Sequence, residues 1–447
     1  MDRAASRWVL VMVPKFDVAI VGAGVAGCLM AAGLAKKGLS VCLIERKPIS
    51  KIGVKVCGDA LIADSKLKEI GFQPPKGYVE RELYGFKVYV PGLDVITLKA
   101  KVLLLDREGF GRWLFERALD QGVTPFESTI AINPIISDGW VKGVKVKRLN
   151  EPPLTINSGL TVDASGVASF LRRKLPREWW VSEEVTRYDL ALCYREIRLA
   201  EGFDDDYCSI YYDQAISPMG YLWIFPKSKG KVNVGVGLRM NVKAPLREVL
   251  HHHLACDPRF NSSRILHAGW GVVPARHPLK CFTSNGFMVI GDAAYQATCG
   301  LGEGLRPSIV SAYLAAQEAA EAAYYGLEDL WGYNVKYLKT LGLAQVQSAA
   351  FTYYFERLSD ERRNKLLSNF AEGSFNLEAF LNFKIDAKIL AHSAKLGLQQ
   401  FKELIGEWRL VREVKSIYTA YPEASKNYPE WSLRADNFWS KIKASTY

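Results

Sequence analysis

Apolar positions along this chain change period several times, and each change marks a part of the molecule. Residues 16–21, FDVAIV, are a β-rich apolar run. A helical stretch to about Lys37 follows, and LSVCLIE (39–45) returns to β character. Further on, alternating segments recur: LYGFKVYV, DVITLKAK, LALCYREIRL, CSIYYDQ, GYLWIFP and KVNVGVGLRM. They predict a mainly antiparallel sheet. NGFMVIGDAA (285–294) is another apolar strand and feeds a long Ala-rich helix. From about residue 331 the reading is helical. There Leu398, Phe401, Ile405, Trp408 and Val411 recur at spacings of three and four, an amphipathic face. That face suits packing on the antiparallel sheet or an interfacial position at a bilayer.

Within GYLWIFP, Tyr221, Trp223 and Phe225 share one side of the strand, and Leu222 and Ile224 share the other. A face of three large rings fits either plain core or the wall of an apolar cavity. Gly235 and Gly237 lie inside a strand, so close packing explains them and not a second nucleotide fingerprint.

The first strand–turn–helix–strand unit carries chemistry. Gly22-x-Gly24-x-x-Gly27 sits between strand and helix. Gly22 allows the tight turn, Gly24 lets a pyrophosphate approach the backbone, and Gly27 lets helix and strand pack closely. Glu45, at the end of the next strand, is placed for the adenosine ribose hydroxyls, favouring FAD or NAD. Distant residues bear on that choice. Asp292 suits ribityl hydroxyls. Gly302 and Gly304 precede a helix whose N-terminus suits the pyrimidine end of a flavin. Arg107 opens another helix, where a cation serves flavin or phosphate.

Composition narrows the picture. The chain has 447 residues and a formal net charge of +11, scattered in short clusters such as Arg172-Arg173-Lys174. A basic surface is expected, with attraction to an anionic membrane or an acidic redox partner as its functional reading. No nucleic-acid motif is present. Eight Cys are spread singly without a CxxC pair, which fits a reducing cytoplasm and no metal centre. No apolar run reaches about 18 residues, so no transmembrane helix is expected. WVLVMV (8–13) is too short and lacks a cleavage site, which argues against a signal peptide. Consecutive His251, His252 and His253 diverge on a helix, cannot share a metal, and read as surface residues.

GAGVAG, Glu45-Arg46, VCGDAL (56–61), the Asp106-Arg107 stretch, DASGVASFLRR (163–173), GYLWIFP, GDAA and GLGEGLRPS occur in this order. Together they resemble the FAD-dependent geranylgeranyl reductase family, nearest to its archaeal digeranylgeranylglycerophospholipid reductases. The wider fold is that of p-hydroxybenzoate hydroxylase-like flavoproteins. The Cys-Gly-Asp turn and the Tyr-x-Trp-x-Phe-Pro strand are its specific pieces.

The resemblance implies an α/β fold: a Rossmann-type FAD-binding domain (16–83, 104–180 and 272–330), an antiparallel-sheet catalytic layer (84–103 and 181–271) and a helical C-terminal region (331–447). It implies FAD contacts at Gly27, Glu45, Arg46, Cys57, Gly58, Ala60, Arg107, Asp292, Gly304 and Leu305, with Ala131 beside the adenine. Tyr221, Trp223 and Phe225 would line an isoprenoid cavity, and Cys57 or Tyr221 would supply or relay a proton. One stretch departs from many relatives: YQATCGLGEG stands where they have a Pro and a His-Gly-Gly-like segment, so Cys299 takes another residue's place. The implied activity is hydrogenation of isolated double bonds in geranylgeranyl chains. With no second Rossmann unit, electrons come from NAD(P)H or a reduced ferredoxin-like partner. The expected location is the cytoplasm, with peripheral membrane contact. A monooxygenase or halogenase of the same fold, or a non-catalytic flavin lipid-binding protein, are the alternatives; Tyr221 and Phe225, where halogenases have Trp and Ile, favour the reductase.

Overall fold

The computed structural model describes residues 14–368, 374–378 and 398–444. WVLVMV lies outside them, as do the side chains of Leu398, Phe401, Ile405 and Trp408; Val411, the last of that stripe, is buried.

Two sheets organise the chain. The first holds eight strands. Its parallel centre places Leu154–Asp163 beside Lys15–Val21, then Val41–Ile44 and Thr124–Phe126. On the other side of Leu154–Asp163 lies Phe287–Val289. Where these strands are buried on both faces, at 18–21, Val41–Ile44 and Phe287–Val289, they are continuous apolar runs, as helix-covered parallel sheets require. Their register positions the site. Val21 pairs with both Ile44 and Asp163, and Val289 pairs with Asp163. Four strands therefore end at one level, and the segments that follow them share one edge: Gly22, Glu45, Ala164 and Gly291-Asp292. Ligands of open α/β sheets bind at that carboxyl edge.

The second sheet holds nine strands and is mainly antiparallel. Leu190–Leu199, Lys231–Arg239, Gly220–Pro226 and Cys208–Tyr211 pair in that order, each antiparallel to the next. Cys208–Tyr211 then runs parallel to Val79–Tyr89, which pairs antiparallel with Ile96–Leu105. Arg264–Pro274 is an edge strand that alternation had not singled out. Its glycines at 269 and 271 and its largely exposed residues blur the period. Strand Val79–Tyr89 crosses the boundary expected at residues 83/84, and Ala60–Ile62 joins the second sheet through Val102–Leu104.

Among the described residues the C-terminal part is helical, with one short strand, Ser374–Asn376, added parallel to Thr97–Lys99. Among the described residues no helix is long and apolar enough to cross a membrane. The His-rich helix Leu246–Ala255 needs a correction. Only His252 is exposed; His251 Nε2 lies 2.8 Å from Glu196 Oε1, and His253 packs edge-on to Tyr211 at 4.5 Å. The side chains do diverge, but two of them pack on the sheet.

Candidate active site

The strand Gly220–Pro226 sorts its side chains by period two. Leu222 and Ile224 pack with Leu250 and Leu254 of the His-rich helix. Tyr221, Trp223 and Phe225 face the other way and join Phe86, Leu98 and Phe355. All three rings line a cavity of about 440 Å³ between the two sheets and the C-terminal helices.

The cavity's walls differ along its length. Near the carboxyl edge of the first sheet it is lined by Gly24, Ala164, Arg107, Asp292, Gly302 and Gly304. At the far end the lining is apolar, with Val88, Ile96, Ile210, Phe351, Leu367 and Leu377. Cys57, Gly58, Ala60 and Leu305 also line it.

Each glycine of the first turn has its own reason. Gly22 has φ +111°, and a Cβ there would lie 2.3 Å from Ala164 O. A Cβ on Gly27 would lie 1.9 Å from Gly22 O. A Cβ on Gly24 would meet nothing within 4 Å, because it points into open space. The first two serve packing and the third leaves room for a ligand.

The polar groups at this end fit a dinucleotide flavin. Arg107 is 8% exposed, and among the described residues its Nε and Nη1 have no hydrogen-bond partner. A buried donor left so costs about 1–3 kcal/mol, which an anionic or carbonyl-bearing ligand removes. Asp106 caps its helix, accepting from Gly109 N at 3.1 Å. Helix Leu305–Glu321 begins at Gly304 with no side-chain cap. Asp292 stands beside it; a Cβ on Gly304 would lie 3.2 Å from Asp292 Oδ1. Lys55 Nζ pairs with Asp292 Oδ2 at 3.1 Å.

Other expected residues lie outside the lining. Glu45 sits at the turn, where Oε2 accepts from Ala23 N and Oε1 from Lys47 N, both at 2.9 Å. Arg46 is exposed. Ala131 is buried in the ladder opposite Val146.

The aromatic wall is rigid for a reason that alternation alone does not reveal. Trp223 Nε1 donates to Asn233 Oδ1 at 2.9 Å, and Tyr221 donates its hydroxyl hydrogen to Leu301 O at 2.6 Å. The polar tips are satisfied within the protein while the ring faces border the cavity. They therefore do not distinguish core from cavity wall. Burial pushes the Tyr221 phenol well up, with the nearby Cys193 thiol adding to it, so it keeps its proton. Gly235 and Gly237 make room: a Cβ on Gly235 would lie 2.3 Å from Trp223 Cζ2, and one on Gly237 2.9 Å from Cys193 Sγ. Cys193 also lines the cavity, its thiol pushed up to about 12 by burial.

The Cys-Gly-Asp turn closes over this wall. Phe225 Cε2 stands 3.3 Å from where a Gly58 Cβ would be. Cys57 Sγ accepts from Asp59 N at 3.4 Å. Asp59 has φ +63° and is held by Asn233 Nδ2 and Lys227 Nζ, each 2.9 Å from its Oδ2. Sequence reading missed Asp59, Lys227 and Asn233 as a group. Their signals were a charged residue after FP and a polar one inside the alternating KVNVG, but nothing local links them. Cys299 is buried at the cavity, 3.9 Å from Arg239 Nη2.

Comparison with known proteins agrees with this arrangement. Residues 189–273 match the geranylgeranyl reductase catalytic domain, and residues 17–53 match the FAD dependent oxidoreductase family. A digeranylgeranylglycerophospholipid reductase of Sulfolobus acidocaldarius is 31% identical, over 96% of this chain and 99% of its own. One of Methanosarcina acetivorans is 28% identical, over 84% and 94%. A geranylgeranyl bacteriochlorophyll reductase-like structure from Thermoplasma acidophilum superposes with TM-score 0.78 at 25% identity, covering 88% of this chain and 100% of its own. The flavin-dependent brominase Bmp2, at 17% identity and TM-score 0.64, shares the fold, over 88% of this chain and 99% of its own. With its cofactor turn, its Cys-Gly-Asp loop and its aromatic strand meeting at one cavity, the chain belongs to the geranylgeranyl reductase family of FAD-dependent oxidoreductases.

Proposed function

We propose that this protein hydrogenates isolated carbon–carbon double bonds of geranylgeranyl chains in lipids or their precursors. The observation that carries this reading is continuity: the glycine-lined end and the apolar, ring-walled end are one cavity. Each CH₂ removed from water contributes about 0.8 kcal/mol, so a polyprenyl chain binds such walls with few polar contacts. Bound and reduced, FAD supplies the hydride. Gly24, Arg107, Asp292 and the helix start at Gly304 would hold its polar parts. Tyr221, Trp223 and Phe225 hold the chain and exclude water. Hydrogen bonds to Leu301 O and Asn233 Oδ1 keep the first two rings from turning away. Tyr221 acts as wall, its hydroxyl hydrogen being committed to Leu301 O, while Cys57 shapes the turn at the reacting end.

The electron donor is a transient one, NAD(P)H or a reduced ferredoxin-like protein. The single glycine fingerprint, taken up by the FAD-type segment, supports this. Net charge +11 supports peripheral contact of a cytoplasmic protein with an anionic membrane, testable by flotation with anionic vesicles at low salt.

The deciding experiment is anaerobic. Dithionite-reduced protein is mixed with a geranylgeranyl lipid, flavin absorbance is followed, and products are weighed by mass spectrometry. Reoxidation with a gain of two hydrogens per double bond is expected. No reoxidation without oxygen, together with turnover of NAD(P)H and oxygen on an aromatic acid, would replace the reading by a monooxygenase.

A further inference from the structure

Saturating an isolated double bond takes a hydride and a proton, and the proton needs a donor at the cavity. We propose that Lys231, Glu80, Lys227 and Asp59 form the route that carries it from solvent to the cavity. The proposal rests on the reductase reading above.

Asp59 is the inner end. It lines the cavity and is 2% exposed. Its Oδ2 is taken by Lys227 and Asn233, while Oδ1 is buried without a hydrogen-bond partner among the described residues. Asn233 Nδ2 also donates to Cys57 O at 2.9 Å, fixing the carboxyl group against the turn. Behind it, the Lys227 ammonium is almost fully buried; it donates to Asp59 Oδ2 at 2.9 Å and to Leu105 O at 2.8 Å. Its Nζ stands 3.1 Å from Glu80 Oε2, at ion-pair distance but not aligned as a hydrogen bond. Rotation of the ammonium group brings an N–H into line. Glu80 Oε1 pairs with Lys231, whose side chain is 30% exposed. Four exchangeable groups thus run without a gap from water to the cavity.

Other carboxylates on the cavity do not offer this. Glu356 is paired with Arg239, and a guanidinium does not give up its proton in a protein. Glu303 is likewise held by Arg306. Asp292 does pair with an exposed amine, Lys55, but it lies at the cofactor end beside Gly304 and not in the turn against the aromatic wall.

The step balances as follows. A hydride, carrying its electron pair from the reduced cofactor, bonds to one alkene carbon. The π pair bonds the other carbon to the proton leaving Asp59 Oδ1. Asp59, a carboxylate paired with Lys227 at rest, is loaded with that proton beforehand by the Lys227 ammonium. Lys227 regains one through Glu80 from the Lys231 ammonium, and Lys231 takes one up from an acid in the solvent, so Asp59 ends as the paired carboxylate it began as and no charge is left on the product.

Lys231→Met tests the outer end, where loss of folding is least expected. It should keep the melting temperature and FAD content of the wild type. Flavin reoxidation by lipid in a single anaerobic turnover should slow several-fold, with a larger solvent deuterium effect. Small amines such as methylamine should restore it. Asp59→Asn keeps the shape but cannot carry the proton, and should slow the same step by about 10²-fold or more without rescue. Wild-type rates in either variant would overturn the route. So would losses that follow melting temperature or flavin content and resist amine rescue, since those mark a structural ion pair. A wild type inert toward the lipid would remove the reductase reading itself, and the route with it.

Discussion

Around Gly22–Gly27 the cavity is bounded by backbone, whereas along Gly220–Pro226 it is bounded by rings. The first region works by leaving atoms out: the space at Gly24 exists because no Cβ fills it. The second works by putting large side chains in and pinning their polar ends elsewhere. Added volume therefore harms the first region, and lost volume harms the second.

The comparison is broken most sharply at Gly24. Its φ of −83° suits any residue, and a Cβ there touches no protein atom. Gly24→Val, at the N-cap of its helix, should cost the FAD-free protein only about 1 kcal/mol, yet abolish FAD binding. Retained flavin absorbance after purification would show that Gly24 is not part of the cradle.

Trp223→Ala attacks the other end. Such a truncation costs about 3–5 kcal/mol in a closed core. The lower value is expected here, because the ring already borders a cavity; Asn233 Oδ1 also loses its donor. Calorimetry together with product analysis should show a lowered melting temperature, retained FAD and lost alkene reduction. Full reduction by a stable, FAD-loaded variant would remove the ring from substrate holding.

Gly27→Ala should destabilise by about 1–3 kcal/mol through overpacking, since its Cβ would lie 1.9 Å from Gly22 O. Here melting temperature and flavin content should fall together, unlike at Gly24. The smallest effect belongs to Tyr221→Phe. It removes one hydrogen bond, to Leu301 O, for about 1 kcal/mol, and should reduce alkene turnover only modestly if the ring and not the hydroxyl matters. Loss of all turnover would return Tyr221 to the role of acid.

The two regions were also unequally legible. The glycine turn is written in six consecutive residues, and its strand–turn–helix context is local. The three separate duties of Gly22, Gly24 and Gly27 follow from that spacing; the geometry has tight packing at Gly22 and Gly27 and open space at Gly24. Glu45 emerges beside the turn because Val21 and Ile44 are paired, a register set by apolar pattern. The aromatic strand was legible only in part. Alternation separates Tyr221, Trp223 and Phe225 from Leu222 and Ile224, but does not say which face meets helix Leu246–Ala255. The polar tips of Tyr221 and Trp223 do not decide it either, because Leu301 O and Asn233 Oδ1 satisfy them whichever face the rings line.

By itself, then, the sequence determined what short-range physics controls. That covers the period-two strands, the glycine turn, the helix starts at Arg107 and Leu305, and the two sides of GYLWIFP. Tertiary structure alone decided what depends on groups far apart in the chain. Asp59 meets Lys227 across 168 residues, and Tyr221 meets Leu301 across 80. The reason is physical. Backbone conformation and side-chain period are properties of a few neighbouring residues. A buried charge or hydroxyl instead takes whatever partner the packing of two sheets brings within about 3 Å, and no local pattern encodes that partner.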